Sequence, residues 1–179
     1  MKEINQVINH NFEKDFFYDR GSLRTELNIK NQIKIFEEIN SDVLNNVLTK
    51  LKKTFPDAKI ENWTQFFNLD RCIRFLIDLN GQQRFISQLS IFGYFCVYEH
   101  STQLVQDIYT YDETVFVNLN ESLICDQLYK CFVSASNEPK WLNREVLEQV
   151  FQDFSILNTD PLFSHKIAIA DILFTNHYL

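Results

Sequence analysis

The chain has 179 residues, enough for one domain with its own core, and 45% of them are hydrophobic. Its 24 Asp and Glu against 17 Lys and Arg give a net charge of −7. An acidic surface repels phosphate backbones, which argues against a direct nucleic-acid partner and suits a basic protein partner. Seventeen Phe beside only 3 Gly and 3 Pro argue against a disordered tail and require most of the rings to be buried.

The N-terminal MKEINQVINH lacks the apolar segment of a signal peptide, and no apolar run approaches the ~20 residues that span a bilayer. Residues 2 to 10 place Ile4, Val7 and Ile8 on one helical face. Phe12, Phe16, Phe17 and Tyr18 are suited to packing back onto a sheet, and Gly21-Ser22 marks a turn. Ile29, Ile33, Phe36 and Ile39 form an apolar stripe through residues 28 to 39. Asn40 or Ser41 is expected to cap a further helix over Asp42 to Thr54, with Val43, Leu44, Val47, Leu48 and Leu51 inward. Its end carries Lys50, Lys52 and Lys53, which suit the negative end of the helix dipole, and Pro56 stops it. Lys59 to Phe67 reads as a strand or bent extended segment.

Arg71 to Glu99 holds the densest strand signal. Ile73, Phe75 and Ile77 alternate with Arg74, Leu76 and Asp78, and Asn80-Gly81 is a strong hairpin signal. A two-residue turn would set Arg84 and Gln88 among the apolar residues. A three-residue loop, Leu79-Asn80-Gly81, pairs Phe75 with Phe85 instead and brings Leu89 to the apolar face, with Arg74, Asp78, Arg84 and Gln88 opposite. Gly93 predicts a bulge or sharp bend before a third strand, Tyr94 to Glu99. His100-Ser101-Thr102 is expected to end it.

Leu104 to Val117 carries strand-like residues at Ile108 to Tyr111 and Val115 to Val117, without a firm choice of helix or strand. Asn118 or Asn120 is placed to cap a helix from about Glu121 to Val133, with Ile124, Leu128, Cys131 and Phe132 inward. Asn137-Glu138-Pro139 is a linker turn. The next helix is expected to begin at Leu142-Asn143 and to bury Val146, Leu147, Val150, Phe151 and Phe154. Asn158 to Pro161 is a turn, and Ile167 to Phe174 is a buried terminal element read as a helix. The expected architecture is a single α+β domain. An antiparallel sheet is built on the 71–99 meander and packed on one face by four to six helices. The helical parts are about 1–56 and 120–179, and the sheet part is about 59–117.

Chemistry-bearing patterns are scarce. His10, His100, His165 and His177 share no helical spacing with one another, so no metal is expected; His100, His177 and Asp171 would need the fold to unite them. Cys72, Cys96, Cys125 and Cys131 form no Cys-x-x-Cys, and three of them sit in apolar runs, as buried thiols of a reducing compartment do. There is no nucleophile elbow, and three scattered Gly cannot cradle a phosphate. No cofactor and no enzymatic activity are expected. Binding character is concentrated in Gln106 to Glu113, where Asp107, Tyr109, Tyr111, Asp112 and Glu113 combine tyrosine area with carboxylates that pair across an interface rim. The competing reading is an edge strand with packed tyrosines and solvated acids.

In overall build the chain resembles bacterial polymorphic-toxin immunity proteins, including those of contact-dependent inhibition systems. SIFGYFCVYE (90–99) and ADILFTNHYL (170–179) carry the likeness. It implies a cytoplasmic protein that masks the active site of a cognate toxin, often a basic nuclease. The alternatives are a small-molecule binder or enzyme with an apolar pocket between helices and sheet, and a subunit that oligomerises through its sheet edge or apolar terminus.

Overall fold

Five strands form an antiparallel meander in chain order: β1 (Lys59–Asn62), β2 (Cys72–Asp78), β3 (Arg84–Ser90), β4 (Tyr94–Val105) and β5 (Tyr109–Phe116). A short sixth strand, β6 (Lys140–Trp141), pairs parallel with the start of β4. The computed structural model describes residues 1–12, 23–66, 70–81, 83–105, 109–134, 136, 138–155 and 166–174. Phe16, Phe17, Tyr18, Gly21, Ser22, Asn137, the 158–161 turn, His165 and His177 lie outside these residues.

The β2–β3 pairing has the predicted faces but a different offset. Ile77 lies opposite Phe85 and Ile73 opposite Leu89, while Phe75 faces Ser87 rather than Phe85. The ladder runs one rung beyond Asp78, where Leu79 N donates to Gln83 O at 3.0 Å. The connection therefore falls on 80–82, one residue later than expected, with Gly81 at φ +76°. An offset of two residues preserves the faces, which is why hydrophobic patterning alone does not detect it. Gly93, at φ +78°, is a turn residue: its N–H donates to Ser90 O at 2.9 Å and closes the β3–β4 hairpin.

Both faces of the sheet are covered, not one. On the first face Ile73, Phe75, Ile77, Phe85, Leu89, Phe95 and Val97 pack with α3 (Val43–Thr54) and α4 (Leu123–Val133), through Val47, Leu51, Leu128 and Phe132. On the second, Cys72, Tyr94 and Cys96 pack with Ile4 and Ile8 of α1 (Lys2–Asn11), Ile29 and Ile33 of α2 (Leu23–Ile39), and the C-terminal α6 (Ile169–Leu173). The polar residues in the middle of that face serve each other. Arg74 Nη1 lies 3.1 Å from Asp70 Oδ2, and these side chains are 12% and 0% exposed. Arg74 presents only donors, so the Gln88 amide oxygen faces it, accepting from Nε at 2.7 Å and Nη2 at 3.2 Å.

Helix boundaries depart from expectation where a different group supplies the cap. Asp42, not Asn40 or Ser41, precedes α3, and the Asn40 side chain instead donates to Phe36 O at 2.9 Å, closing α2. Asn118 and Glu121 form a capping box on a 3₁₀ turn, and Ser122 Oγ caps α4 by accepting from Ile124 N. The C-terminal part is not all helical. The helix at Asn143 stops after one turn, α5 (Arg144–Leu147), and the stretch predicted to continue it is β7 (Val150–Ser155), paired with β8 (Lys166–Ala168). Val150, expected inward, is exposed. Valine and phenylalanine favour extended backbone once a partner strand is available. Leu142 and Leu147 are both buried in the core of the second face.

Arg71 fastens the C-terminus to the sheet. This fully buried side chain donates from Nε to Ile172 O (2.7 Å) and from Nη2 to Asp171 O (2.6 Å), with its guanidinium over the Phe12 ring at 5.5 Å. Arg71 N donates to Phe174 O and Ser90 Oγ to Leu173 O, so four consecutive carbonyls that α6 cannot satisfy internally are met by two residues of the sheet. Arg71→Met should lower stability by about 3 kcal/mol or more, since each hydrogen bond to a charged group is worth ~1.5–3 kcal/mol. Urea unfolding measures it, and a loss below that of Ser90→Ala would contradict this role.

Asp78 makes the hairpin pH-sensitive. Its carboxylate accepts from Gly81 N at 2.6 Å and Arg84 Nε at 3.1 Å, and the Gly81 bond leads in holding its pKa below the usual carboxylate range. A lowered folded-state pKa adds stability above the unfolded pKa of about 4 that is lost as pH falls through the folded value. Asp78→Asn should therefore flatten the acid limb of the stability profile below about pH 4 and leave its shape at pH 6–8 unchanged.

Candidate functional site

β4 and β5 outrun the sheet. The β3–β4 ladder ends at Arg84 opposite His100, whereas β4 and β5 stay in register from Tyr98 opposite Phe116 to Val105 opposite Tyr109. Residues 101–105 and 109–113 thus form a two-stranded ribbon beyond the edge of β3. Four of the five residues singled out in the sequence belong to this region. Tyr109, Tyr111, Asp112 and Glu113 lie on β5, opposite Val105, Gln103, Thr102 and Ser101. Asp107 lies outside the described residues. Residues 109–111 and 115–116 of the two strand-like pieces belong to one strand, Ile108 lies outside the described residues, and β4 continues past the expected stop at Thr102 to Val105.

The hydrogen-bonding phase of the ribbon follows from one bond at its base. Val117 N donates to Val97 O at 3.0 Å. Bonded pairs recur every second residue in an antiparallel ladder, so Val115, Glu113, Tyr111 and Tyr109 turn their main-chain groups toward β4. Thr110, Asp112, Thr114 and Phe116 turn theirs outward. Arg144 takes the last of these carbonyls, donating to Phe116 O from Nε (2.8 Å) and Nη2 (2.5 Å).

The ribbon also lies at the centre of the chain's charge imbalance. Between Phe85 and Tyr129 there is no Lys or Arg, and there are six acids: Glu99, Asp107, Asp112, Glu113, Glu121 and Asp126. The rest of the chain carries the other 18 acids against all 17 cations, so six of the seven net negative charges come from this one quarter of the sequence. Sequence reading found the acids but missed the absence of cations around them, a signal visible in the sequence.

Lys50, part of the KLKK run, donates to Ser134 O at 2.6 Å and ties the end of α3 to that of α4. The hollow between these ends, lined by Lys50, Lys53, Lys130 and Cys131, holds about 220 Å³. The rings form packed clusters: Phe95 lies 4.7 Å from Phe132, 5.2 Å from Trp141 and 5.4 Å from Tyr129 between centroids. No group of three or more metal-ligating side chains occurs among the described residues. No helix among them is long and apolar enough to cross a membrane. Comparison with protein-family models, curated proteins and solved structures finds no match to this chain.

All four cysteines are free and buried. Burial pushes the Cys72 thiol up to about 12 and that of Cys125 to about 11, and raises Cys96 and Cys131 as well. The thiolate is the nucleophile, so these are unreactive sulfurs. A disulfide-exchange reagent at pH 8 should titrate four thiols in denaturant and none rapidly in the native protein. Rapid native labelling of Cys72 or Cys96 would overturn the assignment.

Proposed function

We propose that this chain is a non-catalytic, acidic protein-binding module, an inhibitor of the immunity or antitoxin type that masks a basic toxin domain. The observation that carries this reading is the placement of the charge. Six of the seven net negative charges come from residues 85–129, and three of those six acids, Asp107, Asp112 and Glu113, fall within the span 101–113 that contains the ribbon, rather than being spread evenly as they would be for solubility alone. Complementary potential steers encounter with a basic surface and disfavours acidic ones. Four buried thiols suit a reducing compartment, and we place the protein in the cytoplasm on that ground. The small-molecule alternative drew on the Phe excess, and the ring clusters beneath the first face use those side chains as core.

Tagged protein isolated from its native host should carry a stoichiometric basic partner, and a secreted toxin encoded beside its gene is the first candidate. Simultaneous Asp107→Lys, Asp112→Lys and Glu113→Lys should slow association with that partner by about tenfold or more at low ionic strength, with the difference shrinking as salt is added. Recovery of the protein without a basic partner counts against the reading, and an unchanged association rate clears the ribbon of the role.

A further inference from the structure

Building on the reading of an acidic protein-binding module, we propose that the outer edge of β5 takes up an extended segment of the basic partner as an added strand, through the main-chain groups of Thr110, Asp112 and Thr114. The two edges of the sheet are built differently. β1 is four residues long, starts at Lys59 and carries a Lys59–Glu61 ion pair at 2.6 Å, features that blunt an edge. β5 is eight residues long, with the sequence YTYDETVF, and contains no Lys, Pro or Gly; its register against β4 runs without a shift. It is the last strand on its side of the meander, and no other described strand pairs with it.

The phase of the ladder sets how much of that edge is available. Phe116 O is closed by Arg144, so the outward rungs begin at Thr114 and continue through Asp112 to Thr110. Three alternate residues offer three N–H and three C=O groups, enough to pair an extended segment of about five residues. Charge selects the occupant. A second copy of this chain added antiparallel about Asp112 would set Asp112 against its own counterpart, with each Glu113 one residue away, and like charges across a strand pair repel. A segment with Lys or Arg beside β5 meets two acids, Asp112 and Glu113, on a strand that carries no cation. Main-chain pairing at a sheet edge is an established mode of peptide capture and needs no side-chain pocket.

The test uses the full chain and a defined probe: a capped peptide, Lys-Val-Lys-Thr-Lys-Val-Lys-Thr, and the same peptide N-methylated at alternate amides so that one edge loses its donors while the charge stays. Binding is read by fluorescence anisotropy, and amide exchange by NMR. The unmodified peptide should slow exchange at Thr110, Asp112 and Thr114, and N-methylation along the pairing edge should weaken binding by about tenfold or more. Thr110→Pro with Thr114→Pro removes two outward donors without touching an inward bond and should reproduce that loss. The N-methylated peptide keeps the test independent of whether this variant folds. If both peptides bind equally and Asp112→Lys with Glu113→Lys abolishes both, the partner is held by charge alone; the acidic-module reading then stands and strand addition is overturned. Absence of exchange protection with either peptide overturns it as well. Concentration-dependent protection of the same amides without peptide would assign the edge to a second copy and overturn the occupant proposed here.

Discussion

β2 is buried on both faces, and that constraint organises the molecule. Its odd-numbered residues, Ile73, Phe75 and Ile77, enter the core beneath α3 and α4. On the other face Cys72 enters the core beneath α1, α2 and α6, and Leu76 joins Ile86 and Tyr98. A strand enclosed in this way cannot hand its polar members to water, so Arg74 is met inside the protein by Asp70 and Gln88. The pairing with β3 is specified twice over. Sliding it by one residue would set Arg74 among the rings and Phe75 against Asp70 and Gln88, with a desolvation penalty on one face and lost apolar burial on the other.

The same enclosure explains which parts of the structure were legible in the sequence. Period-two alternation identified the faces of β2, β3 and the first half of β4, because burial depends on parity alone. The stripes of α1 and α3 were legible for the equivalent reason at period 3.6. The second covered face was not. Arg74 and Gln88 on an alternating strand look the same whether they face solvent or one another, and Asp70, the residue that distinguishes the two cases, lies before the strand begins. In the C-terminal part, Val150, Phe151 and Phe154 satisfy a helical stripe and a short strand equally well, and β8 (Lys166–Ala168), which decides for strand, came from a run read as helix. The candidate site was legible as composition at Tyr109, Tyr111, Asp112 and Glu113. Its projection was not, because it depends on β3 starting at Arg84 while β4 runs on to Val105, a relation between three strands.

Four arginines at or beside the sheet are held by local partners. Arg71 serves the carbonyls of α6, Arg74 serves Asp70, Arg84 holds Asp78 at the hairpin, and Arg144 closes the carbonyl of Phe116. Each is fixed by a local partner at or beside the sheet, and none falls within the stretch from Phe85 to Tyr129. At the ends of α3 and α4, Lys50 donates to Ser134 O across the junction, and Lys130 pairs with Asp126 within α4. These cations are used within the fold, and none of them lies in the 85–129 stretch that carries six of the seven net negative charges.

A two-stranded ribbon by itself is marginal in water, so strands that outrun their sheet call for a partner surface. Edge strands of ordinary proteins are cut short or carry Lys or Pro, as β1 illustrates, because an open edge recruits other chains. β5 has no Lys, Pro or Gly, and its acids, Asp112 and Glu113, would under the proposed reading repel copies of the same edge while admitting basic chains. Under the proposed strand addition, charge and main chain would divide the work: long-range attraction would set how often the partner arrives and weaken with salt, whereas paired amides, which salt screens far less, would set how long it stays.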